Sequence, residues 1–155
     1  LVEQARDMIL EDAEHYYLMA MEKWQGLSDR RAEGDECRQL GVLFHEKRDL
    51  DKAEEWYVKA KDAFEEIQDL NRICRTYGQL GMIAEERDDI PGALLWAGRT
   101  YQQAEGNNLP VLVQAKAHLA RLRDKHGEEN FAAWWREFAG EDPPTDLEVD
   151  AETIL

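Results

Sequence analysis

Four histidines, two cysteines and one serine are the side chains in this 155-residue sequence suited to proton transfer, nucleophilic attack or soft-metal ligation. His15 and His45 fall in separate helical patterns, and His118 and His126, eight residues apart, share a third. Ser28 stands beside Asp29 at a helix start, where a short polar side chain caps backbone N–H groups. Catalysis by a nucleophile needs that nucleophile, a base and an orienting group to converge, and no spacing here brings such a set together. The one concentration of metal-ligating types is His45-Glu46 with Glu85-Glu86, 40 residues on; these would suit a divalent cation if the two pairs met. Cys37 and Cys74 are 37 residues apart, which is neither a zinc spacing nor a redox pair. They read as small buried residues of a reducing, cytoplasmic compartment. No Gly-rich phosphate loop and no catalytic motif occurs. The expectation is a non-catalytic protein without metal or cofactor.

Charge narrows the partners. The chain carries 34 acids against 19 bases, a net −15. Nucleic-acid binding needs a basic footprint that displaces counterions from phosphates, and an anionic membrane surface makes the same demand, so neither is expected. No apolar run approaches the roughly 18 residues of a membrane span. Leu1 opens a helical pattern without a secretory signal, as expected of a processed chain or a piece of a longer one.

The elements that position these side chains are helices. Ala53, Trp56, Tyr57, Ala60, Phe64 and Ile67 step by 3, 1, 3, 4 and 3, one helical stripe. No stretch alternates as a half-buried strand would. Ser28-Asp29, Asp49, Asn71, Asp89 and Asn107-Asn108 read as caps, Pro91 and Pro110 as first-turn residues, and Gly26 and Gly127 as helix ends. The spacing predicts helices over 2–26, 29–47, 51–67, 71–87, 91–105, 110–126 and 128–139. These make an all-α domain over 1–140. Residues 141–155 hold six acids, no base and Pro143-Pro144, and read as an acidic flexible tail or linker. Their end, Thr153-Ile154-Leu155, has the form of a C-terminal peptide ligand.

The pattern also repeats. Ala13-Glu14-His15-Tyr16-Tyr17 returns as Ala53-Glu54-Glu55-Trp56-Tyr57 and as Ala93-Leu94-Leu95-Trp96-Ala97, 40 residues apart each time. Gln39-Leu40-Gly41-Val42-Leu43 returns as Gln79-Leu80-Gly81-Met82-Ile83. A weaker copy follows, with Leu119-Ala120, Ala132 and Trp135. A period of this length marks an α-solenoid of antiparallel helix pairs. Phe131, Trp134, Trp135 and Phe138 form an aromatic stripe in the last helix, expected to close the stack.

Leu40-Gly41…Phe44…Ala53…Tyr57…Ala60 resembles the tetratricopeptide repeat, in its longer-repeat form of about 40 residues. The second copy keeps Leu80, Gly81, Ala84 and Ala93 but has Ala97 and Thr100 at the later positions; the third keeps Leu119, Ala120 and Ala132. The resemblance covers roughly 5–139 and implies a right-handed superhelix whose first helices line a concave groove. Aligned on the Leu-Gly pair, the groove would hold Asp35, Arg38, Val42, His45 and Glu46. It would continue with Arg75, Gln79, Met82, Glu85 and Glu86, and then Gln114, His118, Arg121, Asp124 and Lys125. Arg38, Arg75 and Arg121 would offer planar paired donors to a carboxylate, or pair internally with Asp35, Glu46, Glu85 or Glu86. The family's carboxylate clamp wants Lys and Asn where Arg38 and Val42 stand and Asn where Gln79 stands, so it is not reproduced. The implied function is a protein-interaction module that binds a partner's peptide or helix, an acidic segment among the candidates, within a larger signalling or regulatory protein. The alternative is self-association through exposed array ends, with Trp134 and Phe138 docking a second copy.

Overall fold

A computed structural model describes residues 2–24 and 29–147. Among these are seven helices and no strand: α1 (Val2–Trp24), α2 (Arg30–Glu46), α3 (Leu50–Glu66), α4 (Leu70–Glu86), α5 (Ile90–Gly106), α6 (Leu112–His126) and α7 (Glu128–Ala139). Each helix packs chiefly on its neighbours in the chain, α2 on α3, α4 on α5 and α5 on α6, the consecutive arrangement of an α-solenoid. The chain divides into two compact units, Leu1–Asp69 with α1–α3 and Leu70–Leu155 with α4–α7. None of the described helices is long and apolar enough to cross a membrane.

The turns carry a regularity shorter than the sequence repeat. Helices α2 to α5 are each 17 residues long, and the second residue after each has a positive φ: 70° at Arg48, 56° at Gln68, 55° at Asp88 and 52° at Asn108. These left-handed residues stand 20 apart. Each closes its helix with the same pair of hydrogen bonds: the Arg48 amide donates to the His45 carbonyl at 3.0 Å and the Asp49 amide to Phe44 at 2.9 Å. The pair recurs as Gln68 to Glu65 and Asp69 to Phe64, both at 3.1 Å. It satisfies the carbonyls orphaned at a helix end. Glycine is the usual occupant, and none of the four is glycine.

Asp29, Asp49 and Asp89 accept from the amides of Ala32, Lys52 and Gly92 at 3.1, 3.2 and 3.1 Å, as N-caps do. Three expectations need correction. Asn71 lies inside α4, because the chain resumes its helix at Leu70. Asn107 ends α5 and Asn108 takes the left-handed turn, so neither caps α6, which begins after Val111 without a side-chain cap. Pro110 falls in that turn and not in α6. Ser28 and Gly26 lie outside the described residues.

In unit 1 the core buries Trp56, Tyr57 and Phe64 of α3, the last two against α2. Each such burial contributes about 1.5–3 kcal/mol. The helices run antiparallel, so Gly41 faces the Tyr57 ring and Gly34 the Phe64 ring. A Cβ at Gly41 would overlap the Tyr57 ring, and one at Gly34 would lie 2.5 Å from Phe64 Cε1. Both expected buried thiols are found, with Cys37 1% and Cys74 0% exposed, and burial pushes the Cys74 thiol up to about 11.

In unit 2, Ala93, Leu94, Ala97 and Tyr101 of α5 meet Leu119 and Leu122 of α6 and Phe131 and Trp135 of α7. Trp134 and Phe138 are half-buried against the same core, Phe138 seated over Gly98. The chain after α7 returns to this core. Leu147 is fully buried in it, while Asp142 pairs with Arg136 and Asp146 with Lys116, each at 2.8 Å. The stretch 141–147 is therefore tethered to unit 2, whereas 148–155, including Thr153-Ile154-Leu155, lies outside the described residues.

Candidate functional site

Helix α2 buries Gly34, Cys37, Leu40, Gly41 and Phe44. Arg38, Val42 and His45, spaced by four and three residues, therefore share another face and are half-buried. The His45 ring meets Tyr57 edge-on with centroids 6.3 Å apart. Arg38 has no ion-pair partner among the described residues. Leu43, beside this face, is 38% exposed.

In unit 2 the same logic operates on two helices. Helix α4 buries Ile73, Cys74, Thr76, Tyr77, Leu80, Gly81, Ile83 and Ala84. Arg75, Gln79 and Met82 are left on the other side: Arg75 is exposed, Met82 is 45% exposed and Gln79 is half-buried. Arg75, like Arg38, makes no ion pair among the described residues. The Gln79 Oε1 atom is buried and accepts no hydrogen bond from them, a condition that costs about 1–3 kcal/mol. Helix α6 buries Ala115, Leu119 and Leu122, and leaves Gln114 and Arg121 exposed and His118 half-buried. The Gln114 amide, oriented to satisfy its hydrogen bonds, donates to the carbonyls of Pro110 and Val111 at 3.3 Å, closing the first turn of α6.

Glu85 joins the two helices. Its Oε2 accepts from Arg121 Nη2 at 2.7 Å and lies 3.1 Å from His118 Nε2. His118 is admitted by Gly81: a Cβ there would stand 3.2 Å from His118 Cε1 and 3.3 Å from Trp96 Cβ. Burial raises the affinity of Glu85 for a proton, but the hydrogen bond and charge of Arg121, with His118, outweigh it and hold the carboxyl below its ordinary range. Burial lowers the His118 value, the Arg121 charge lowers it further, and Glu85 opposes both without reversing the sign. At neutral pH the arrangement is a carboxylate held by a guanidinium and by a neutral imidazole that donates from Nε2.

The residues expected in a groove thus divide by environment. Glu85, His118 and Arg121 come together. Gln114 folds back on its own helix. Arg38 in unit 1 and Arg75 in unit 2 make no ion pair among the described residues. The cation candidate is also split, His45-Glu46 in unit 1 and Glu85-Glu86 in unit 2. Among the described residues, no three His, Cys, Asp or Glu side chains gather as a metal-ligating group. What the sequence reading passed over is α1, where Met8, Ile9, Tyr16, Leu18 and Met19 are all exposed. The repeat aligns α1 with the second helix of a hairpin, Ala13 matching Ala53 and Ala93. Searches among family models, curated proteins and solved structures found no match to this chain.

Proposed function

We propose that the chain is a non-catalytic, tetratricopeptide-like interaction module. The outward face of α4 and α6 holds a peptide or helix of a partner, and α2 presents Arg38, Val42 and His45 to the same class of ligand. The observation that carries the reading is Arg75: an exposed guanidinium without an ion pair among the described residues, in a chain of net charge −15. It shares its helix face with Met82, a large apolar side chain that is 45% exposed. A free cation beside an apolar contact fits a segment that brings a carboxylate and a hydrophobic side chain together. Arg121 is already committed to Glu85 and shapes the surface rather than binding first. The module serves as a scaffold within a larger cytoplasmic signalling or regulatory protein.

The test is a selection from a peptide-display library, run in parallel on the chain and on an Arg75→Glu/Met82→Glu variant. Both positions are outward, so the two proteins should have matching circular dichroism and melting. Acidic peptides with an apolar anchor, enriched by the first protein and not by the second, are expected. Peptides enriched equally by both would remove this face from the function.

A further inference from the structure

Helix α1 carries large apolar side chains that the described residues leave exposed. Met8 is 65% exposed, Ile9 66%, Tyr16 70% and Met19 54%. At 100° per residue, Met8, Asp12, His15 and Met19, with steps of 4, 3 and 4, fall on one line, and Ile9 and Tyr16 run along its edge. Asp12 and His15 are exposed as well. The other side of α1 is engaged: Leu10 is 3% exposed, Asp7 pairs with Lys47 at 2.6 Å and Glu14 with Lys52 at 3.1 Å. The repeat puts Tyr16, 70% exposed, in register with Trp56, which is 2% exposed. The described residues do not cover Tyr16 as they cover Trp56.

The order of residues on this line specifies what covers it. The line reads Met-Asp-His-Met, and read backwards it becomes Met-His-Asp-Met. We propose that α1 pairs with α1 of a second copy of the chain, antiparallel, about a two-fold axis passing between residues 13 and 14. Met8 then lies against the partner's Met19 at both ends of the seam. Asp12 faces the partner's His15, and the symmetry repeats that pairing, so two carboxylate–imidazole contacts flank the axis. Along one edge Ile9 comes within one helical turn of the partner's Tyr16, and the symmetry repeats that contact. Such an isologous contact is complementary to itself without any other sequence. A parallel pairing would oppose the two aspartates and lose the match, as coiled-coil registers do when charges clash. The surface is distinct from the α4/α6 face and does not depend on it.

Sedimentation velocity of the full 155-residue chain over a concentration series should give a reversible monomer–dimer equilibrium with Kd of about 10 µM. His15→Asp puts carboxylates against carboxylates and should raise Kd about tenfold or more, whereas Asp12→His combined with His15→Asp restores the complement and should bring it back to within about threefold. Under mild oxidation, an equimolar mixture of Met8→Cys and Met19→Cys chains should form an intermolecular disulfide that neither variant forms alone. The native cysteines are buried and do not compete. A chain that stays monomeric to about 1 mM overturns the proposal. So does a dimer whose affinity ignores the charge swap, which would place the contact elsewhere. A disulfide formed by Met8→Cys alone overturns the antiparallel register.

Discussion

The Leu-Gly pair occurs in both units, but the glycine does different work in each, and an alanine scan of two positions exposes the difference. Gly→Ala within a helix gains about 1 kcal/mol from backbone entropy. That gain is common to Gly41 and Gly81, so it cancels when the two variants are compared. What remains is packing. At Gly41 the new methyl meets the face of the Tyr57 ring at overlapping distance, and Tyr57 is 1% exposed with nowhere to retreat. Overpacking of that kind costs about 1–3 kcal/mol. At Gly81 the nearest atoms stand at 3.2 Å on the His118 ring, which can turn aside by a few tenths of an ångström, and at 3.3 Å on Trp96 Cβ, which moves only with α5, so the contact is tight but does not overlap. Gly41→Ala should therefore be less stable than Gly81→Ala by about 1–2 kcal/mol, with Gly81→Ala at or slightly above the parent. Urea unfolding followed by circular dichroism gives the numbers, and heating should separate the two melting temperatures by about 3–6 °C for a chain of this size. If Gly41→Ala equals or exceeds Gly81→Ala, the antiparallel approach of α2 to the Tyr57 ring has been misread.

Leu147→Ala should cost about 2–3 kcal/mol, because a fully buried leucine leaves a cavity when truncated; a melting curve unchanged from the parent would mean that the segment after α7 adds nothing to unit 2. Stability should fall as pH drops below 6.5, the ordinary histidine value, since His118 stays neutral in the fold while the unfolded chain takes the proton. Glu85, held below its ordinary 4.5, adds a second loss as acid reaches it, because its contribution is present above that value and disappears as pH falls through the depressed one. Replacing His118 with Gln should flatten the first part of the melting-temperature profile and leave the second, and an unaltered slope near pH 6 would assign the effect to another group.

Helix positions were legible because apolar steps of three and four residues mark one face wherever a hairpin must be buried, as in α3 and α4. Aspartate caps were legible for a related reason: Asp29, Asp49 and Asp89 are the residue type whose oxygen reaches the third amide beyond. The left-handed turns were not legible. Their usual marker is glycine, and Arg48, Gln68, Asp88 and Asn108 share no side-chain feature, only a backbone angle. Leu147 was hidden by averaging, one apolar residue within a segment counted as acidic. For the candidate site, Arg75 and Met82, which the repeat alignment put in a groove, are both exposed on α4. That alignment could not say which arginine would find a carboxylate, because that depends on how α6 lies against α4 at Glu85.

The three-residue turns also bear on time as well as space. The α2–α3 and α4–α5 hairpins each close over a gap of three residues, so bringing their helices together costs little chain entropy. The principal contacts join helices that are consecutive in the chain, with no strand pairing across a long loop among the described residues. Folding of such a chain is a matter of adjacent helices zipping together, and structure can start in the α2–α3 hairpin or in the α4–α5 hairpin without waiting for the other. A chain emerging from the ribosome would complete its first hairpin while the second is still being made, and would keep little apolar surface waiting for partners that arrive late.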